Sequence, residues 1–384
     1  MLDFRSYRIL AEAYLTEAKE APGIMHTEHV ADRTFDGEKE AKHAVSTLTG
    51  VVQGKIPITR KIDDKMSFQV KREKDGRVGV KYKGTGSTYN YSHADIEKQH
   101  GHKPYLAGPL GHVLSHAGKV LPKKAGEYQG GYMSSPETRT EEGGKIKHTP
   151  NTLTYSTDKN SEEGKKLAKS KVSMTIHTRL TGPKGKPKPL TDTSGFGSHP
   201  DVHMVNHLVT PEQQKLSPEH KKAVVTHIAA AKKLMKGHDY GHLGGGHNES
   251  MRIYVNSTVD SGERPNVEGY KAHLAARHDK EIGKMKTEKG KATKTAAKNA
   301  SLGHVDTHGD AFKRSFDIHH HVQTATNLLA NSLNHTAGGD FEHHIGEKKS
   351  GPEGFVANGL KIVNRQEFSK ANRERTAILR AGKK

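Results

Sequence analysis

Apolar and polar residues alternate one for one along two neighbouring stretches of the chain. Met66, Phe68 and Val70 alternate with Ser67, Gln69 and Lys71; Val78, Val80 and Tyr82 alternate with Gly79, Lys81 and Lys83. A period of two belongs to a half-buried strand. Asp75-Gly76 lies between the runs and signals a hairpin, so 58–84 is expected to fold as two paired strands. The same parity sends Lys61, Asp63, Lys81 and Lys83 to the polar face. Alternation also predicts strands over 126–133, 145–156 and 171–180, and a second hairpin around Asn358-Gly359. Helical spacing predicts helices over 4–15, 37–52, 90–102 with Ser92 as cap, and 104–121. It does so again over 211–237, with Ser217 as cap and Pro218 in the first turn, and over 312–333, the longest. Residues 25–29 read as a polar loop and 183–189 as a basic, Pro-rich linker. Residues 251–259 fit a strand or a helix start. The Lys-, Ala- and Thr-rich stretch 283–298 fits a mobile basic loop or a frayed helix.

Composition narrows the classes. The chain has 384 residues, enough for two or three domains, and only 32% are hydrophobic. Lys and Arg number 62 against 43 Asp and Glu, a formal charge of +19 with His neutral. Such an excess favours a polyanionic partner, nucleic acid or nucleotide. The absence of cysteine excludes disulfides and thiolate metal sites and fits a reducing compartment. No run of about 18 apolar residues is present, so no membrane span is expected. The first twenty residues are acidic and helix-like and lack the basic start and apolar core of a signal peptide.

Histidines raise a metal reading. His238 and His242 stand four apart, His247 and Glu249 follow, and His319, His320 and His321 are consecutive. Two histidines at that spacing on a helix share a zinc readily, but Gly241 and the glycines at 244–246 disfavour a helix there. The simpler expectation is surface or nucleic-acid-facing histidines.

Several short motifs, taken in order, resemble the nucleotidyltransferase motifs of ATP-dependent polynucleotide ligases. Lys61-Ile62-Asp63-Asp64 resembles the lysine motif. Tyr128-Gln129-Gly130-Gly131 lies where that family has a Gly-Glu or Gly-Asp element, and Ile176-His177-Thr178 resembles the strand that follows it. Glu353-Gly354-Phe355-Val356 resembles the Glu-Gly-x-Val motif, and Leu360-Lys361 the final lysine motif. The chain is also similar to uncharacterised tailed-phage proteins of ligase-like type. These share a His-Thr-Glu-His-like start, a lysine-motif hairpin ending in Lys-Gly, and a Gln-Gly segment. They also share Pro150-Asn151-Thr152, and a tail resembling Lys361-Ile362-Val363-Asn364-Arg365 with Phe368, Ser369 and Asn372. The resemblance covers 25–180 and 350–372. Two positions depart from the ligase pattern: Asp64 stands where glycine is preferred, and Gly131 where an acidic residue is usual.

The resemblance implies an α+β fold, a ligase-type nucleotidyltransferase core of antiparallel sheets with flanking helices. The core would comprise 1–200 and 341–384, with 201–340 a mostly helical basic insertion. It implies that Lys61 takes AMP from ATP as a lysyl–AMP, with Mg²⁺ held at Glu353. Asp63, Lys83, Gln129, His177, Glu353, Lys361 and Arg365 would bind the nucleotide. It implies a nucleic-acid acceptor and, for a phage-encoded protein, work in the cytoplasm of the infected bacterial host. Two alternatives stay open: a ligase fold that binds nucleic acid without catalysis, and a basic virion or DNA-packaging protein. One geometric condition follows: the last hairpin must lie beside Lys61.

Overall fold

The computed structural model describes residues 28–83, 88–182 and 185–369. The expected N-terminal helix over 4–15, residues 25–27 and Asn372 lie outside them. In chain order, β1 (Glu28–His29) leads through a 3-10 turn (Ala31–Phe35) to α1 (Glu38–Val52), followed by β2 (Thr59–Lys61), β3 (Met66–Arg72) and β4 (Val78–Tyr82). Helices α2 (His93–His100) and α3 (Pro104–Ala117) precede β5 (Gly126–Ser134), β6 (Arg139–Glu142), β7 (Lys145–His148) and β8 (Thr154–Asp158). Helix α4 (Glu162–Lys169), β9 (Val172–Thr181), β10 (Lys186–Pro189) and β11 (Val202–Met204) complete the first half. The helices α5 (Pro218–Met235), α6 (His247–Ser261), α7 (Val267–Gly283), α8 (Glu288–Thr307) and α9 (Gly309–Thr336) follow. The chain then returns to strands, β12 (Glu342–Ile345), β13 (Lys348–Ser350), β14 (Gly354–Ala357) and β15 (Leu360–Ile362). The protein is therefore α+β.

The strands form three sheets. The first has the order β1-β15-β14-β2, the second β10-β9-β5-β3-β4 with β11 beside β9, and the third β13-β12-β8-β7-β6. Pairing is antiparallel except for β1 with β15 and β11 with β9, which are parallel. The β3–β4 hairpin has the expected form, with Lys71 opposite Gly79. Phe68, Val70 and Val80 bury their side chains against Leu110, Val113 and Ala117 of α3. Ser92 caps α2 in a reciprocal box with Asp95, which satisfies donors at the helix start.

The parity expectation for Lys61 and Asp63 fails. Lys61 ends β2, which pairs with β14 in the first sheet, whereas β3 belongs to the second. The chain changes sheets between 62 and 65, so counting by twos from one into the other has no meaning. Residues 145–156 form two strands, because Pro150 has no N–H for a ladder and the chain turns there. Residues 186–189, expected as linker, form edge strand β10 on β9, where alternate prolines are tolerated. Residues 251–259 are helical, within α6. The basic stretch enters a full helix at 288, with the Thr287 hydroxyl accepting from Gly290 N at 3.1 Å.

One apolar cluster joins α1, α5, α9 and the β14–β15 hairpin through Leu48, Ile228, Leu329, Leu333, Phe355 and Ile362. A second lies between α2, α3 and the second sheet. A third, around Tyr270, Phe312 and Phe316, holds α6 to α9 together with Phe35. No helix among the described residues is long and apolar enough to cross a membrane.

Candidate active site

The segment 61–65 touches all three sheets. Lys61 sits opposite Gly354 in the first sheet. Asp63 N–H donates to the Tyr155 hydroxyl of the third at 2.8 Å. Lys65 N–H donates to Tyr132 O of the second at 3.0 Å. Five consecutive residues thus pin the junction.

The Lys61 ammonium donates to Glu353 Oε1. Both side chains are largely buried, Lys61 24% and Glu353 10% exposed. The strand that brings Glu353 there depends on Gly354. Its φ is +145°, and a Cβ on it would lie 2.6 Å from Ile362 O. Only glycine meets both conditions. The condition placed on the last hairpin is met, because β14 lies against β2 and β15 against β14.

The electrostatics follow from burial and neighbours. Burial alone lowers Lys61, but Glu353, with Asp63 and Asp64, outweighs it and holds the ammonium above its ordinary value. Cationic neighbours would release the Lys61 proton; its nearest partners are instead carboxylates, which retain it. Burial pushes Glu353 up to about 7, against the pull of Lys61. Burial likewise pushes Asp64 up to about 6, opposed by Lys61 and Ser67. Glu353 Oε2 is buried and accepts no hydrogen bond, and the buried Thr175 hydroxyl, on β9, has no partner either.

The remaining expected residues divide. Lys83 lies past the end of β4, and its charge acts on Asp64 and His177. His177, on β9, donates to or accepts from Thr178 Oγ1 at 2.8 Å. It is held to about 3 by burial, and by His207, Lys83 and Lys61, so it is neutral at physiological pH. Lys361 is half-buried on β15, and its charge reaches Glu353. Gln129 stands in register between Gln69 and Thr178, half-buried.

Two assignments are corrected. Asp63 is not on an open face. It is 4% exposed, and its oxygens accept from Asn151 Nδ2 at 2.8 Å and from the N–H groups of Thr152 and Leu153 at 2.6 and 2.7 Å. These bonds are spent within the chain, so Asp63 anchors the 149–153 loop and leaves no acceptor set for a ribose. Arg365 is 2% exposed and forks onto Asp32, with Nη1 2.9 Å from Oδ1 and Nη2 on Oδ2. It ties the segment after β15 to the 3-10 turn and is spent there within the fold. The loop that grips Asp63 is the Pro150-Asn151-Thr152 segment, whose motif was visible in sequence but whose partner was not.

The histidines are absorbed into the helical packing. His238 Nε2 and His242 Nε2 each lie 3.0 Å from the buried Ser315 hydroxyl. Among the described residues no group of three or more His, Asp or Glu is placed to hold a metal.

The chain belongs to the family DUF6267, a family of unknown function, whose pattern matches residues 25–376. No curated protein and no solved structure matches it.

Proposed function

We propose that this member of the family is an ATP-dependent, ligase-like nucleotidyltransferase with Lys61 as the nucleotide carrier and a nucleic-acid end as acceptor. The observation that carries the reading is the contact of Lys61 with Glu353, two residues 292 apart in the chain. It brings the first and the last two motifs of the resemblance into one buried, polar junction.

In this reading the Lys61 ammonium first gives its proton to a neighbouring carboxylate. Glu353 is hydrogen-bonded to it and is the acceptor at hand. The transfer runs uphill, because the carboxylates hold the ammonium above its ordinary value while Glu353 lies near 7, so it is drawn forward by the attack on ATP. The Lys61 nitrogen then attacks the α-phosphorus of ATP. An N–P bond forms, the P–O bond to the β-phosphate breaks, and pyrophosphate leaves with the bonding pair. Lys83 and Lys361 offset the charge that develops on the phosphates. A phosphate oxygen at a nucleic-acid end then attacks the same phosphorus, the N–P bond breaks, and Lys61 recovers its proton. Mg²⁺ would be held by Glu353, whose buried Oε2 accepts no hydrogen bond, with substrate phosphates completing its shell, since one or two carboxylates with phosphates are its usual ligands. When bound it would neutralise charge on the departing pyrophosphate.

The test is incubation with α-labelled ATP and Mg²⁺ followed by denaturation. A covalent label is expected in the wild type and none in Lys61→Ala, with a loss of at least about 100-fold in Glu353→Gln, from its combined proton-transfer and charge roles. The absence of label with any nucleoside triphosphate, or label persisting in Lys61→Ala, overturns the assignment. A second reading is supported by the carboxylates that hold Lys61 protonated: a ligase-like fold that binds nucleic acid without catalysis. ATP binding with no covalent label would select it.

A further inference from the structure

Among the described residues, α8 is the least buried long helix. It spans 20 residues, about 30 Å at helical rise, yet Val305 near its end is its only buried residue. Its C-terminal part docks through Val305, through His304 against Phe312, and through the Asp306–Lys271 ion pair on α7. Its N-terminal part is tied down by Lys298 on Asp279 of α7 and is otherwise open to solvent.

The exposed end is basic. From Lys280 to Lys298 the chain carries seven lysines and two glutamates. Both glutamates pair with lysines three residues away, Glu281 with Lys284 and Glu288 with Lys291. Exposed pairs of this kind contribute little and leave a net positive strip. Lys286 and Lys289 are exposed, and Lys294 is half-exposed one turn further on. From Glu288 to Ser301 the helix carries no large apolar side chain, only Lys, Gly, Ala, Thr, Asn and Ser beyond the first glutamate. A helix that lay on a lipid surface would need an apolar face to bury. A polar, cationic helix without one is suited to a phosphodiester backbone, where charge is met by charge and no side chain need enter a bilayer.

We propose that α8, with the turn before it, is the surface on which a nucleic-acid strand lies. This rests on the reading above for the identity of the acceptor, but not for its test, which uses no ATP. Labelled single-stranded and duplex oligonucleotides of one sequence would be titrated by fluorescence anisotropy between about 50 and 200 mM salt. The variant Lys286→Gln, Lys289→Gln, Lys294→Gln is expected to bind at least about tenfold more weakly at the lowest salt. Its slope of log affinity against log salt should be shallower by about two to three, given about 0.7–0.9 for each of three phosphates no longer neutralised. A control with Lys39, Lys123 and Lys124 changed to Gln removes the same charge elsewhere and is expected to stay within about twofold. Whether the single strand or the duplex binds more tightly identifies the acceptor form. Equal weakening in the control, no oligonucleotide binding by the wild type, or binding to phosphatidylserine vesicles in place of oligonucleotide overturns the proposal. Covalent labelling from ATP should be unchanged in the helix variant. Labelling absent from wild type and variant alike, with the anisotropy difference intact, would defeat the nucleotidyltransferase reading and leave this surface standing.

Discussion

Asp64 and Gly131 behave as one packing unit. A Cβ built on Gly131 would lie 2.3 Å from Asp64 Oδ2 and 2.4 Å from its Cβ. The Asp64 side chain fills the room that a side chain on Gly131 would need. These are the two positions at which the sequence departs from the ligase pattern, and in space they meet. The loop facing the strand thus supplies an acidic group, Asp64, whose charge acts on Lys61. Gly131→Ala is therefore expected to cost about 1–3 kcal/mol through overpacking, and clearly less when Asp64→Gly has emptied the space. A double-mutant cycle by urea unfolding checks it; a coupling under about 0.5 kcal/mol would show that the two positions are independent. Each departure could be read from the letters alone. Their meeting could not, because nothing in either residue's local pattern refers to the other.

At the scale of elements, what carried a long period was legible. The β3–β4 hairpin, α1, α2 and α9 declare themselves by alternation, a cap or an extended apolar stripe. Strands β1, β2 and β11 have two or three residues and are too short to show any period, yet β1 and β2 form the two edges of the first sheet. Parity misplaced Lys61 for that reason: the strand it ends was hidden, and the hairpin's rhythm was carried across a change of sheet. The same applies to the tie between the 3-10 turn and Arg365. Burial pushes Asp32 up, but Arg365, with His319 and His29, outweighs it and holds the carboxyl well below the usual range. A carboxyl held low stabilises the fold above its unfolded value, near 3.8, and loses that contribution as pH falls below it. Asp32→Asn strands the Arg365 guanidinium and is expected to cost about 3–5 kcal/mol at pH 7. The gap from wild type should narrow in urea unfolding below about pH 4; a gap that stays constant to pH 3 would rule out the ion pair as its source.

Over the whole molecule, the mixture of helical and strand periods was legible and the α+β class followed from the resemblance, whereas the closure of the chain could not be read. The first sheet is built from strands of both ends, and the cluster beneath it joins α1 to α5, α9 and the β14–β15 hairpin. Phe355, fully buried on β14, sits in that cluster. Phe355→Ala is expected to cost about 3–5 kcal/mol and to move unfolding followed by α-helical circular dichroism and by tyrosine fluorescence together. A shift in one signal alone would mean that the hairpin packs as a separate unit.

The pairing of β2 with β14 also sets a clock. The lysine leaves the ribosome early, and the strand carrying its carboxylate partner leaves 292 residues later. At about 5–20 residues per second, that is an interval of roughly 15–60 s during which Lys61 has no Glu353. A nascent or prematurely terminated chain therefore carries Lys61 without its carboxylate partner. The junction of the three sheets at Lys61 is complete only once the β14–β15 hairpin has been made.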